Sequence, residues 1–203
     1  MGPRERGDDD RKCCVMNSDN PPASIPSPAD VLAFWRAAGQ GKWYTKDEAF
    51  DAEVRRRFLK LWEAARAGEL AGWEETDDGA LALVIVLDQF PRNMFRGNAR
   101  SFSADDEALA VADRAIARGA ETRIGPDLIE FLYVPFMHSE RLADQERCVA
   151  LFRSRGRPDN LKFAEVHADI IRRFGRFPHR NRMLGRTTSP EEQTFLDAGG
   201  FAG

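Results

Sequence analysis

Arginine, histidine and asparagine are concentrated near the end of the sequence, in a stretch that contains no acidic residue. Six arginines lie between residues 172 and 186, with His179 and Asn181 among them. Guanidinium groups bind carboxylates and phosphates through paired hydrogen bonds. The stretch therefore indicates either a set of internal ion pairs or a binding site for an anion.

Gly175, within this stretch, has a structural explanation of its own. Glycine is the usual residue in the left-handed conformation that ends a helix. We predict that Gly175 ends a helix that reaches Phe174, and that neighbouring arginines bond the last carbonyl groups. This leaves a surplus of donors, because six arginines, His179 and Asn181 are more than one helix end requires.

A second polar segment follows the most apolar stretch of the chain, residues 80 to 87. Asp88 comes directly after it, and an unpaired carboxylate in an apolar interior is costly. Arg92 and Arg96 follow four and eight residues later. Two interpretations stay open: a buried ion pair that fixes the chain here, or a carboxylate and a guanidinium that line a site.

The histidines are His138, His167 and His179. His167 lies on the apolar face of a predicted helix and therefore points inward. No two of the three have the four-residue spacing of a helical metal site, and we predict no metal and no cofactor. For an enzyme, His138 or His179 is the candidate general acid or base, and Glu140 is a further catalytic candidate.

The candidate ligand-binding residues lie at predicted helix ends or on inward faces. In an antiparallel array several of these ends would meet on one side, which predicts a polar cleft of net positive character beside Trp or Phe side chains. The alternative is that the same groups form internal ion pairs. The candidates are Asp88, Gln89, Arg92, Asn93, Arg96, His138, His167, Arg173, Arg176, His179, Arg180 and Asn181.

The elements that must position these groups are helices, marked by N-cap residues and by apolar side chains spaced three and four apart. Pro91 is expected to kink or end the central one. Since no useful length alternates apolar and polar residues, we predict an all-α fold of seven to eight helices in antiparallel hairpins. The predicted N-caps are Ser27, Thr45, Thr76, Ser103, Ser139 and Ser189.

Composition sets limits on the class of protein. The 203 residues, 42% of them hydrophobic, suit a single domain, which we place at residues 28–203, after a disordered tail at 1–27 in which Met16 is an alternative start. The net charge of −3 makes nucleic-acid binding unlikely. No apolar run reaches the roughly 20 residues of a membrane helix, and the spacing of Cys13, Cys14 and Cys148 favours a reducing cytoplasm over a disulfide framework.

Five segments together resemble the uncharacterised bacterial family called domain of unknown function 924. They are LDQFPRNMFRG (87–97), FLYVPFMHSE (131–140), the stretch ending in His167, RFGRFPHRNRMLGR (173–186) and SPEEQTFL (189–196). The resemblance covers about residues 29–199, in order. It implies an all-helical, tetratricopeptide-like fold and implies no activity.

The leading hypothesis for function is a binding protein for an anionic small molecule or an acidic peptide. The alternative is an enzyme that acts on a phosphorylated or carboxylated metabolite, with a histidine as general acid or base and the arginines stabilising charge. Nucleic-acid binding by residues 172–186 is a third hypothesis, disfavoured because aromatic platforms and overall basicity are both missing. The sequence leaves the oligomeric state open.

Overall fold

The computed structural model describes residues 1–2 and 25–201, and in these ranges the chain is helical without a strand. This confirms the predicted all-α fold. The proposed tail over residues 1–27 and the alternative start at Met16 fall largely or wholly on residues outside the described ranges, so both stay predictions.

The α-helices follow one another with short connections, several of which are single 3₁₀ turns. The α-helices are α1 (Pro28–Ala38), α2 (Gln40–Trp43), α3 (Glu48–Arg66), α4 (Asp77–Val84), α5 (Phe90–Met94), α6 (Asp105–Ala117), α7 (Val134–His138), α8 (Leu142–Ser154), α9 (Pro158–Phe174) and α10 (Pro190–Asp197). The 3₁₀ turns are Ala71–Glu75, Ala99–Phe102, Ala120–Thr122, Ile129–Leu132 and Pro178–Arg180.

Three predicted N-caps are confirmed. The Ser27 and Ser189 side chains accept hydrogen bonds from the backbone N–H groups of Asp30 and Glu192, and each acidic side chain in turn accepts from its cap's backbone. Thr76 accepts from the N–H of Gly79. Gly175 has the left-handed conformation, with φ of +68°, that ends α9 as predicted.

Three other predicted caps are wrong, because a neighbouring residue starts the helix instead. Asp47 caps α3 in place of Thr45, since its carboxylate accepts two backbone N–H groups at 3.0 Å. The Ser103 hydroxyl bonds back to the carbonyl of Arg100, and α6 begins after Ala104. The Ser139 hydroxyl donates to Asp144 inside α8 rather than capping it.

Pro91 neither ends nor breaks the central helix. A π-helical turn at Ile85–Gln89 joins α4 to α5, and the N–H of Phe90 donates to the carbonyl of Ile85, five residues back. Proline lacks an N–H and its ring crowds the preceding turn, and the wider π turn relieves both problems. In the same way Pro135 stands in the first turn of α7, where its ring is tolerated, instead of interrupting a longer helix.

The main hydrophobic core surrounds α4, whose residues Ala80 to Val84 are all buried. Aromatic rings pack around its continuation at Phe90, which lies 4.5 Å from Phe58 and 5.7 Å from Trp35 between ring centroids. Because the helix is covered on every side, the polar side chains that follow its C-terminal end, Asp88 and Gln89, are buried in the interior. The site is built on that end.

A second, smaller hydrophobic cluster lies on the C-terminal side, with Ile170, Ile171 and Phe177 at its centre. It is formed by the end of α9, the loop that follows it, α10 and the C-terminal segment. Phe163, in the first half of α9, is 58% exposed. Within the described residues no helix is both long and apolar enough to cross a bilayer.

Candidate functional site

Asp88 is the centre of the site and is fully buried. The π turn directs it and Gln89 inward, and Gln89 donates to its Oδ2 atom at 2.5 Å. Its Oδ1 atom lies 2.7 Å from Nδ1 of His138 and 3.2 Å from the Arg92 guanidinium. Each carboxylate oxygen therefore has a partner, as a buried charge requires.

The Asp88 contact fixes the protonation of His138. A carboxylate only accepts hydrogen bonds, so the proton of the neutral imidazole is on Nδ1. Burial, together with the positive charge of Arg92, lowers the pKa of His138. Its Nε2 atom makes no hydrogen bond to the described residues, and 16% of the side chain is exposed. His138 is therefore an oriented base whose free nitrogen faces solvent.

Arg92 connects Asp88 to the start of α6. It donates to the Asp88 carbonyl at 2.7 Å and forms a bidentate pair with Asp105, at 2.9 and 3.0 Å. Arg180 reaches the same carboxylate, with Nη1 at 3.3 Å from Oδ2. We call the group formed by Asp88, Gln89, Arg92, Asp105, His138 and Arg180 the central polar cluster.

Arg180 is the least compensated charge in the central polar cluster. Only 7% of its side chain is exposed, and its guanidinium lies over the rings of Phe102 and Phe177, at 4.5 and 4.7 Å from the centroids. Its buried Nε has no hydrogen-bond partner among the described residues. Burial and the nearby Arg92 charge lower the pKa of Arg180 to about 10, so it stays cationic at neutral pH.

The loop that carries Arg180 is held in place by Glu140. This carboxylate accepts the backbone N–H of Phe177 at 2.8 Å and a bidentate pair from Arg186 at 2.6 and 3.0 Å. Gln145 donates to the carbonyls of Met137 and Ser139, fixing the end of α7 next to it. Glu140 is thus occupied with positioning the loop.

Beside the central polar cluster, two histidines and two phenylalanines pack together. The Phe201 ring lies 4.4 Å from the His167 ring and 5.3 Å from the His179 ring, edge-on to both. Phe177 lies 5.5 and 5.6 Å from the same two rings. We call His167, Phe177 and His179 the histidine cage, with Phe201 as its occupant.

The cage histidines are neutral at physiological pH. Burial lowers the pKa of His167 to about 4 and that of His179 to about 3, and the Arg180 charge acts in the same direction. His167 donates from Nδ1 to the Phe163 carbonyl at 2.7 Å. The buried Nδ1 of His179 has no partner among the described residues.

The remaining predicted site residues lie outside the central polar cluster and are paired separately. Asn93 and Arg96 both bond Asp51 of α3. Arg176 forms a bidentate pair with Glu192 of α10, to which Asn181 also donates. Arg173 is half-exposed and lies 3.7 Å from Asp169. The structure therefore brings together Asp88, Gln89, Arg92, His138 and Arg180, with His167 and His179 adjacent.

Three acidic partners, one arginine and one aromatic residue were missed from the sequence. Asp105 and Glu192 looked like ordinary first-turn acids, and nothing in Asp51 or Arg186 distinguished them from surface charges. Phe201 lies beyond the last predicted helix. A signal did exist for Asp105 and Glu192, because a surplus of arginines at 172–186 requires acids elsewhere in the chain.

Among the described residues, no group of three or more His, Cys, Asp and Glu side chains is arranged to hold a metal ion. The central polar cluster offers a buried guanidinium with an unpaired donor, and an oriented imidazole. Such a pair suits an anion and, next to it, a proton transfer.

Comparison with known proteins assigns the chain to a family. Residues 31–200 match the family described as bacterial protein of unknown function, DUF924. The chain belongs to this family. It is also similar to a solved structure of a protein of unknown function from Agrobacterium tumefaciens, with 46% sequence identity over 85% of this chain and 97% of that one and a TM-score of 0.82. No curated protein matches the chain.

Proposed function

We propose that the protein binds a small anion, a phosphate or a carboxylate, at Arg180 in the central polar cluster. The observation that carries this proposal is a buried guanidinium whose Nε donor has no partner among the described residues and whose carboxylate partner is shared. Arg180 shares Asp105 with Arg92, which already bonds both oxygens of that carboxylate. A second negative group next to Arg180 would offset the cost of its burial.

The burial of Arg180 also bears on the size of the ligand. An acidic peptide lies along an exposed surface and meets several side chains at once, whereas this guanidinium presents 7% of its side-chain surface. A small anion reaches such a group more readily than a peptide side chain does. We therefore favour a metabolite-sized ligand over an acidic peptide.

The test compares two arginines from the same stretch. Inorganic phosphate and citrate are titrated by calorimetry into the wild type, Arg180→Gln and Arg173→Ala, after circular dichroism has shown that each variant is folded. We expect the wild type and Arg173→Ala to bind alike and Arg180→Gln to bind at least about tenfold more weakly, the loss typical of a charged hydrogen bond.

Phosphate also stabilises proteins without binding to them, because it is excluded from their surface. The test is therefore the difference in binding affinity between the variants and not a change in melting temperature. If the wild type binds neither anion, the proposal is wrong. It is equally wrong if Arg180→Gln retains the wild-type affinity. Should Arg180→Gln prove unfolded, Arg180→Lys keeps the charge without the planar fork and is expected to bind with intermediate affinity.

A second candidate function, an enzyme, is favoured by one observation, the 2.7 Å contact between His138 and Asp88. As an enzyme, the protein would use Nε2 of His138 to remove a proton from a water molecule while the water oxygen attacks the phosphorus of a phosphate ester. The bond between phosphorus and the ester oxygen then breaks, and His138 passes the proton to that oxygen. Hydrolysis of 4-nitrophenyl phosphate tests it. We expect a rate above buffer that falls about a hundredfold in His138→Gln, and a wild-type rate equal to buffer would count against it.

We also propose a cytoplasmic location and a tetratricopeptide-like stacking of helical hairpins. The α8–α9 hairpin, with three residues between its helices, supports the second point. Fractionation of cells that express a tagged chain tests the first.

A further inference from the structure

We infer that the ligand of the Arg180 site carries an aromatic ring, and that this ring replaces Phe201 in the histidine cage. This inference rests on the proposed anion binding at Arg180. It adds the chemical class of the ligand, an aromatic phosphate or carboxylate, and a role for the C-terminal segment as a displaceable occupant.

The cage is built to hold an aromatic ring. Phe201 meets His167 at an interplanar angle of 62° and His179 at 76°, both edge-to-face arrangements that aromatic rings prefer. The imidazoles are neutral at physiological pH, so they act here as aromatic partners. The same surfaces would receive the ring of a ligand equally well.

The cage and the anion site share one wall. The guanidinium of Arg180 lies 4.7 Å above the Phe177 ring, which also lies 5.5 Å from His167. His179 directly precedes Arg180 in the same 3₁₀ turn. A ligand whose anionic group pairs with Arg180 therefore carries its adjoining group towards the cage.

Phe201 is joined to α10 through two glycines. It follows Gly199 and Gly200 after the end of α10, and Gly199 has φ of +76°. The last backbone hydrogen bond of this segment in the described chain is from the N–H of Gly200 to the carbonyl of Phe195. Two consecutive glycines make the segment easy to redirect, so the ring leaves the cage without unfolding α10.

Space for the displaced ring lies alongside. An open groove of about 460 Å³ runs between α9 and the C-terminal segment, lined by Val166, Ile170, Phe195 and Phe201, with Lys162 and Arg173 among its polar residues. Phe201 thus stands between the groove and the cage. Moving it towards the groove opens the cage while keeping the ring against apolar side chains.

The experiment compares phenyl phosphate, n-propyl phosphate and inorganic phosphate by calorimetry at pH 7. Wild-type protein is expected to bind phenyl phosphate about threefold more tightly than the other two, at the low end of the gain that an aromatic pair provides, because the ligand ring must first displace Phe201. Phe201→Ala removes the competing ring, so its affinity for phenyl phosphate is expected to rise several-fold further, roughly by the same margin. Its affinity for inorganic phosphate is expected to stay unchanged.

Phe163→Ala is the matched control, because the Phe163 ring is exposed and the hydrogen bond that Phe163 accepts from His167 is to its backbone carbonyl, which alanine keeps. It is expected to bind all three ligands as the wild type does. In a separate measurement, phenyl phosphate is expected to shift the ring proton resonances of His167 and His179 in NMR spectra, and inorganic phosphate to leave those of His167 in place.

The outcomes separate the two proposals. If no phosphate binds the wild type or Phe201→Ala, anion binding is wrong and the aromatic ligand fails with it. If inorganic phosphate binds at Arg180 but phenyl phosphate binds no better, or binds without moving the His167 resonances, the anion site stands and the aromatic ligand is overturned. Equal affinity of Phe201→Ala and wild type for phenyl phosphate overturns the displacement.

Discussion

At the scale of single residues, the cage histidines link the stability of the fold to pH. Their pKa values of about 4 for His167 and about 3 for His179 lie below the ordinary value of 6.5 because burial disfavours the charged imidazole. Between those values and 6.5 the unfolded chain binds more protons than the folded one. The free energy of unfolding therefore falls as pH falls through this window.

We predict that the free energy of unfolding decreases on going from pH 7 to pH 5. Each of these two histidines contributes at most about 1.4 kcal/mol per pH unit below 6.5. Urea unfolding at pH 7, 6 and 5 measures the slope. His167→Gln is expected to reduce it, since glutamine keeps a polar group but does not titrate; an identical slope in wild type and variant would contradict the assignment.

The same residues show what sequence could and could not predict about the site. His167 was expected to point inward because the apolar residues of α9 repeat at three and four positions, a local pattern. The partner of Arg180 is Asp105, 75 residues earlier. Such a pairing depends on how helices pack, and no spacing in the chain encodes it. Phe201 was not predicted because it lies after the last helix that the sequence indicates.

At the scale of elements, the central helix owes its position to close packing at its start. Gly79 is buried in the first turn of α4, directly against the 3₁₀ turn Ala71–Glu75. A Cβ atom there would lie 2.7 Å from Oγ1 of Thr76 and closer still to the carbonyl oxygen of Trp73. If the turn Ala71–Glu75 moved away to make room, the hydrogen bond by which Thr76 caps α4 would be lost.

We predict that Gly79→Ala destabilises the protein by about 1–3 kcal/mol, the cost of overpacking. Alanine in a helix is otherwise better than glycine, so the clash must exceed that gain. Gly72→Ala is the control, because nothing lies within 4 Å of its added Cβ, and it is expected to be neutral or slightly stabilising. Urea unfolding compares the two, and equal effects would show that the turn relaxes freely.

Helix starts and ends illustrate where local signals suffice. Ser27 and Ser189 were predicted because each is a preferred N-cap residue followed by proline at the first helical position. Thr45 and Asp47 compete for one helix start, and sequence could not rank them because both fit; geometry favours the carboxylate that reaches two N–H groups. The π turn before Pro91 accommodates the ring and the missing N–H of the proline. The sequence predicted a kink or an end there, because a proline alone does not show which adjustment the helix makes.

At the scale of the whole molecule, two hydrophobic clusters of unequal size meet at the site. The main core supplies Asp88 and His138, and the smaller C-terminal cluster supplies Arg180 and the cage. Glu192, only 2% exposed, holds α10 to the second cluster through Arg176, Asn181 and the N–H of Ser189. A small hydrophobic cluster that is held largely by polar contacts has a lower free energy of local opening than the main core.

We predict that amide hydrogens of α10 exchange with solvent faster than those of α3 and α4. Glu192→Gln removes the carboxylate that three donors share, and it is expected to speed exchange in α10 by roughly tenfold or more without changing α4. Native-state hydrogen exchange measures both. Glu191→Gln, an exposed neighbour, should leave the rates unchanged, and the same acceleration in both variants would contradict this role for Glu192.

The junction between the two clusters has a thermodynamic consequence for any ligand at Arg180. An anion placed there contacts Arg180, which belongs to the smaller hydrophobic cluster, and lies near His138, which belongs to the main core. Its binding energy therefore also favours the state in which the two clusters are packed together. By linkage, an anion that binds only when α10 is packed against the protein also lowers the fraction of molecules in which α10 is open. A chain with a weakened α10 would bind less tightly, although none of its ligand contacts had been altered.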